Sequence, residues 1–479
     1  MKFRFDTFNS EFRIPNSELK NRRKAYRPQA DSLKPTCVLA AGQKHGHKIA
    51  TFTIFTLFSL IWPLSETYAT PGDAFGLDAA STAHAMAVTA SAVPTAAAAS
   101  NTARLIDARG IETSLGITVA APELKTNREK ADLDTYTGFQ FGFATPLPLG
   151  PYRDRLYTGV NVHLPAGSLY DVQVTPQNQP VITHVGSDVR RFGLDAALAV
   201  RIWERIAVGA GFSIMPDAYA DVNIDFANQN TDSAAHVVVD YKFAPNIGIY
   251  AEPVQGLHLG ASYRGATRMT LDVPARILVS NSVGLIHVGF KGRAFLEPHQ
   301  FNFGVRYDFS NLAEWNLARF ALDLEFDYQY YKDPMAFAAQ VELYDDNGEV
   351  LDSNEIEFKA FKKGWRLAMA LTWMPMDEIR LAIGYAFEKS PVPAQRAVFN
   401  ILDSDRNQLA FGGEFWLPQA WLSWVSPLEI GFATGCKFDF YTTREMEKYE
   451  FLPGNPGFPS MRFEGYTFTW HGDLIFRFE

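Results

Sequence analysis

The stretch ALDLEFDYQYY, Ala321 to Tyr331, alternates without a break. Leu322, Leu324, Phe326, Tyr328 and Tyr330 take one set of positions, and Asp323, Glu325, Asp327 and Gln329 take the other. Successive side chains of a β-strand point to opposite faces. A strand here therefore has one oily face and one face with three acids. A soluble sheet would turn the oily face to a core. A membrane barrel would turn it to lipid and keep the acids in the lumen.

The pattern recurs. In Phe192 to Ile202, Phe192, Leu194, Ala196, Leu198, Val200 and Ile202 oppose Asp195 and Arg201. In FNFGVRYDF, Phe301, Phe303, Val305, Tyr307 and Phe309 oppose Asn302, Arg306 and Asp308. Trp365, Leu367, Met369, Leu371 and Trp373 oppose Arg366 and Thr372. At the end of the chain, Tyr466, Phe468, Trp470, Leu474, Phe476 and Phe478 oppose Thr467, Thr469, His471, Asp473 and Arg477.

About fourteen such strands can be placed, starting near Ile111, Tyr136, Leu156, Phe192, Ile206, Val237, Leu257, Gln300, Ala318, Trp365, Ile379, Gln408, Leu428 and Gly465. Their connections alternate in length. Short ones fall at 147–155, 204–205, 253–256, 311–317, 375–378 and 418–427. Long ones fall at 122–135, 166–191, 217–236, 269–299, 332–364, 389–407 and 444–464. An even count of antiparallel strands, with tight turns at one rim and long loops at the other, is the pattern of an outer-membrane barrel. Closure also satisfies every backbone group, as lipid requires. Trp203, Trp315, Trp373, Trp416 and Tyr330 at strand ends fit interfacial girdles. A soluble β-sandwich accounts for the alternation but not for the loop pattern. The expected fold is all-β: an antiparallel transmembrane barrel over residues 111–479.

Composition agrees. Hydrophobic residues make up 47% of the 479 and charged residues 20%, too polar for a bundle of membrane helices. Two distant cysteines, Cys37 and Cys436, offer neither a disulfide framework nor a metal-ligand spacing. Near the N-terminus, Lys44, His45, His47 and Lys48 precede an apolar run from Ile49 to Leu64, then SETYA with Thr67 and Ala69 at the −3 and −1 places of a cleavage site. The run is short for a membrane span and reads as a secretory signal peptide. Residues 1–69 are thus taken as an N-terminal extension and leader. Without them the chain holds 33 basic against 48 acidic residues, a balance that excludes nucleic-acid binding by bulk charge.

From Gly72 the chain reads GDAFGLDAASTAHAMAVTASAVPTAAAASNTARL, dense in small residues and closing on Asn101, Ala103 and Leu105. This resembles the N-terminal hatch of FadL-type proteins, outer-membrane transporters of long-chain fatty acids and aromatic hydrocarbons. GFQFGFATPLP (138–148), YKFAPNIGIYAEP (241–253), LHLGASYR (257–264), IRLAIGYAFEKSPVP (379–393) and LDSDRNQLAFG (402–412) look like the family as well. Thr102 departs from its Asn-Pro-Ala motif, and the chain ends on Phe478-Glu479 rather than on an aromatic.

The resemblance implies a hatch over residues 70–110 that plugs the barrel from the periplasmic side. It implies passive uptake of a hydrophobic small molecule, caught between the third and fourth outer loops and released sideways beside a kinked third strand. Tyr219, Ile224 and Phe226 in the third loop, and Ile277, Leu278, Val279, Leu285, Ile286 and Phe290 in the fourth, are the candidate capture residues. Packing between loops or extended strand pairing would explain them equally. In LYTGVNVHLP, Gly159 and Pro165 either permit the kink or mark an ordinary strand end. Outer-membrane lipid and the barrel-assembly machinery are the implied partners of a monomer that needs no cofactor or metal.

Lumen-side charges fall at Arg201, Arg264, Arg306, Asp308, Asp323, Glu325, Asp327, Arg366, Arg380 and Glu388. Sequential pairing would flank the acids of the ninth strand with Arg306 and Arg366, a structural network. Arg264 and Arg380 are the candidates to meet a substrate carboxylate. Neither G-x-S-x-G nor H-E-x-x-H occurs, and His163, His258 and His471 read as lumen or rim side chains rather than bases. A general porin, or a surface adhesin using the long loops, are the rival functions.

Overall fold

The structure is a computed structural model. It describes residues 74–150, 155–166, 181–182, 192–225, 234–266, 268–280, 284–296, 298–309, 319–331, 339–344, 350–356, 361–396, 401–418, 428–449 and 457–478. The leader, Trp315 and Phe226 lie outside the described residues.

Fourteen strands form the wall. They are β1 (Ile111–Thr126), β2 (Tyr136–Pro146), β3 (Leu156–Pro165), β4 (Gly193–Trp203), β5 (Ile206–Asp225), β6 (Ala234–Val254), β7 (Leu257–Arg264), β8 (His299–Asp308), β9 (Phe320–Tyr330), β10 (Gly364–Met376), β11 (Ile379–Lys389), β12 (Arg406–Trp416), β13 (Leu428–Glu447) and β14 (Ser460–Phe478). Each pairs antiparallel with the next in sequence. Ile111 opposite Phe478 closes the ring, so the wall has no open edge.

Burial settles which face of β9 is inside. Leu324 is 47% and Phe326 39% exposed, whereas Asp323, Glu325 and Asp327 are 2%, 6% and 7% exposed. The oily face points outward and the acids point into the lumen. The same inversion holds at Phe303, Leu367 and Phe411, all exposed on the outer wall. Such a surface is stable only against lipid.

Strand runs into several of the expected long loops, most fully 269–299, which Arg268–Ser280 and Gly284–Leu296 nearly fill. β1 runs on to Thr126, β5 and β6 pair out to Asn223 opposite Ala234, and β13 and β14 pair out to Glu447 opposite Ser460. Residues polar on both faces, such as Arg444, Glu445 and Glu447, end the sequence pattern, yet their main chains still complete the ladder.

Inside the ring lies the segment from Ala74 to Gly110. It holds helix α1 (Ala79–Ala83), helix α2 (Pro94–Ala97) and a 3₁₀ turn (Thr102–Asp107). Asp78 caps α1 by accepting from the Ser81 amide, in a capping box with the Ser81 hydroxyl. Asn101 caps the 3₁₀ turn. Alanines dominate because lumen and wall leave little room. At Gly248 an added Cβ would stand 2.7 Å from the Ala103 nitrogen, and at Gly260 2.6 Å from the Thr89 carbonyl carbon. Wall glycines there let two backbones meet.

Candidate functional site

The hatch is fastened at several points. Asn101 donates from Nδ2 to the Thr89 carbonyl at 2.7 Å and the Ile249 carbonyl of β6 at 3.1 Å, and its Oδ1 accepts from the Ala103 amide at 3.1 Å. One side chain thus ties two parts of the hatch to each other and to the wall. Ala103 and Leu105 beside it are fully buried. Gly159 of β3 leaves the space that Leu105 enters. That close approach, rather than a kink, is what the glycine serves.

On the opposite wall, Arg366 of β10 donates to the carbonyls of Ala85 (2.9 Å) and Met86 (3.0 Å). These two residues have φ of 47° and 65°, left-handed values that cost non-glycine residues about 1–2 kcal/mol each. Asp327 and Glu325 hold the guanidinium from β9, and Glu325 also accepts from the Thr89 amide at 2.7 Å. The acids of the opening stretch therefore grip both a wall arginine and the hatch. As sequential pairing predicts, Arg306 meets Asp323 at 3.0 Å and Arg366 meets Asp327. Near α1, His471 bonds Thr82 at 2.9 Å and also Thr118, and Asp473 accepts from the Ala79 amide at 2.7 Å. Burial holds the Asp78 carboxyl above its usual range, against the opposing bonds from Ser81.

The hatch runs down the lumen. At the long-loop end Phe75 stacks on Tyr136, with ring centroids 4.6 Å apart, in an apolar cluster with Leu124, Leu402, Tyr441, Met446 and Phe463. At the short-turn end it roofs a cavity of about 900 Å³. Arg201, His258, Arg380 and Arg477, each near the short-turn end of its strand, line that cavity with His84, Arg104 and Asp107 of the hatch. A hydrogen-bonded series crosses its wall. Tyr250 bonds His258 at 2.6 Å, His258 bonds Asp308 at 2.9 Å, and Arg306 donates to Asp308 at 2.8 Å.

At the mouth, the backbone register brings the third and fourth outer connections together. Arg268–Ser280 pairs parallel with β5, with Ile277 opposite Ile224 and Ala275 opposite Val222. It then pairs antiparallel with Gly284–Leu296, with Ile277 opposite Ile286 and Val273 opposite Phe290. The latter strand pairs with Ala339–Tyr344. Alternate rows of this sheet hold Val222 and Ile224, then Leu271, Val273, Ala275 and Ile277, then Ile286, Val288 and Phe290, then Val341 and Leu343. The rows between them hold Asn223, Asp272, Arg276, His287, Lys291 and Glu342.

Of the candidate capture residues, Ile224, Ile277, Ile286 and Phe290 share the apolar rows. Tyr219 pairs with Val238 on the β5–β6 hairpin, Leu278 and Leu285 sit in the polar rows, and Val279 falls at a register shift. Tyr219 and Ile224 lie on a strand, not in an irregular loop. Arg264 is buried and donates to Gln300 at 2.8 Å. Arg380 faces Glu414 at 3.3 Å. Arg264 neighbours the mouth and Arg380 the short-turn cavity, so the two do not converge. The third strand keeps its partners on both sides, β2 from Gly138 to Pro146 and β4 from Gly193 to Val200, without a register shift. Sequence reading missed that Glu325 and Arg366 hold the hatch. Nothing local marks a lumen charge as a hatch contact.

The family model described as outer membrane protein transport protein (OMPP1/FadL/TodX) matches residues 67–421. No curated protein matches the chain in sequence. The structure is similar to a Pseudomonas aeruginosa FadL homologue, with a TM-score of 0.54 and 13% identity over 84% of this chain and 98% of that one. It is similar to the Pseudomonas putida toluene transporter TodX, with a TM-score of 0.53 and 12% identity over 86% and 99%. It is also similar to the CymD monoaromatic hydrocarbon channel, with a TM-score of 0.51 and 11% identity over 84% and 97%. At such identities the likeness is one of fold.

Proposed function

The chain belongs to the OMPP1/FadL/TodX family of outer membrane transport proteins, and we propose that within that family's work, carrying hydrophobic compounds across the outer membrane, it takes up long-chain fatty acids. The observation that carries the reading is the mouth sheet. Three outer connections assemble so that Ile224, Ile277, Ile286 and Phe290 fall in rows that hold apolar residue types only. Apolar rows of a sheet at the mouth suit an apolar ligand. The apolar cluster around Phe75 and Tyr136 lies next along the lumen, and the hatch closes the way below it. The outer membrane has no nucleotide supply and the sequence carries no nucleotide motif, which supports movement down the concentration gradient.

The test is uptake of a labelled long-chain fatty acid, toluene and a small sugar by cells with and without the protein. Gain for the fatty acid, reduced by Ile277→Asp and absent for the sugar, is the expected result. Gain for toluene alone would move the protein to the aromatic branch named by its structural neighbours. Gain for the sugar alone would make it a porin.

A further inference from the structure

Around the cavity at the short-turn end, the arginines of β8, β11 and β14 each have acids of their own. Arg306 meets Asp308 and Asp323, Arg380 meets Glu414, and Arg477 meets Glu112 and Glu429. The sector where the 3₁₀ end of the hatch packs against β4, β5 and β6 is different. Arg104 of the hatch lies over the Tyr250 ring of β6, 4.3 Å from its centre, and pairs with Asp107. Arg201 of β4 stands 5.5 Å from the centre of the Tyr157 ring, and its Nη2 donates to the Ile106 carbonyl at 2.8 Å. Ala207 of β5 is opposite both Arg201 and Tyr250, so these two sit only two strand spacings apart, about 10 Å. Arg104 is 9% exposed, and its Nε and Nη1, like Nε of Arg201, are buried and meet no acceptor among the described residues.

Two guanidiniums here share one carboxylate, that of Asp107. A guanidinium does not shed its proton, and a sheltered charge without a counter-ion is costly. Water would satisfy the N–H groups but leave the charge. An oxyanion would answer both needs, and donors from two sides suit a tetrahedral phosphate better than a flat carboxylate. Both arginines line the cavity of about 900 Å³ together with Arg109, which is exposed. Solvent therefore reaches the site from the short-turn end, and nothing has to pass the hatch.

We propose that Arg104 of the hatch and Arg201 of the wall form a site for a small phosphate-type oxyanion, which enters from the periplasmic side, bridges the two elements and latches the 3₁₀ end of the hatch to β4. The site stands apart from the hydrophobic path and does not depend on what that path carries. It lies inside the closed ring, which the acyl chains of a leaflet lipid would have to cross, so the occupant is a free anion rather than a lipid head group.

The experiment follows hydrogen exchange of hatch peptides within 102–109 of the purified protein in detergent, in chloride and in inorganic phosphate at matched ionic strength. Wild type is compared with Arg201→Gln, Arg201→Lys and Arg104→Gln. Phosphate at ten times its Kd should slow the wild-type hatch about tenfold. The slowing should vanish in R201Q and R104Q and return in part in R201K. Each variant is compared with itself in chloride, so a hatch loosened by the substitution still reports. Exchange that phosphate leaves unchanged in wild type would overturn the site. The same slowing in R201Q, or in wall peptides 206–214, would place the anion elsewhere and count equally against it. Slowing by a soluble short-chain phosphatidylglycerol but not by inorganic phosphate would show a lipid head group in the site and refute the free anion.

Discussion

Replacing Asn101 with alanine should free the hatch without unmaking the barrel. The side chain makes three hydrogen bonds, to the Thr89 carbonyl, the Ile249 carbonyl and the Ala103 amide. Asn101 is fully buried, so water does not replace them. Ile249 keeps its place in the β6 ladders. The Thr89 carbonyl and Ala103 amide lose a partner in a dry site, at about 1–3 kcal/mol each. A total of about 3 kcal/mol raises the population of the opened hatch roughly a hundredfold, since 1.4 kcal/mol is tenfold. Hydrogen exchange of the purified protein in detergent reads this directly. Peptides within 78–106 should exchange about a hundred times faster, while wall peptides such as 206–214 keep their protection. Asn101→Asp should do at least as much, because it turns an anionic oxygen toward two carbonyls. Hatch exchange that stays within twofold of wild type in both variants would refute the idea that Asn101 holds the hatch.

Further expectations follow from the same geometry. Gly260→Val places a Cβ against the Thr89 backbone, so the hatch must lift; hatch exchange should rise while the barrel still shows its heat-dependent shift on a gel. Arg366→Gln removes two charge-assisted bonds of about 1.5–3 kcal/mol each from a turn that is already left-handed at Ala85 and Met86. Proteolysis around residues 84–90 should then appear where wild type resists, and continued resistance would count against the clamp. Leu324→Arg puts a charge on the outer wall and should lower unfolding free energy in lipid vesicles by about 2–4 kcal/mol. A neutral result would mean that this face does not meet lipid.

Much of the wall was legible because a barrel strand has only two faces and a period of two. ALDLEFDYQYY sets its acids opposite its oily residues by position alone, and the alternation of turn and loop lengths supplies the rims. The pairing of Arg306 and Arg366 with the ninth-strand acids followed once neighbouring strands were taken in order. Loop readings failed where polar residues occur on both faces. At Tyr219 or Arg444 the ladder is held by main-chain bonds, which side-chain periodicity does not report.

Resemblance to the family pointed to the small-residue segment as a hatch, while the sequence by itself determined the strand count and the oily and polar faces of each strand. These are local properties of residue type and spacing. Only the tertiary structure decided what the lumen side chains hold. Glu325 lies 236 residues from the Thr89 amide it grips, and Arg366 lies 281 from the Ala85 carbonyl. The joining of Ile224 to Ile277 likewise depends on closing the ring around the hatch. Contacts across a lumen are set by how the wall closes, and no stretch of chain carries that geometry alone.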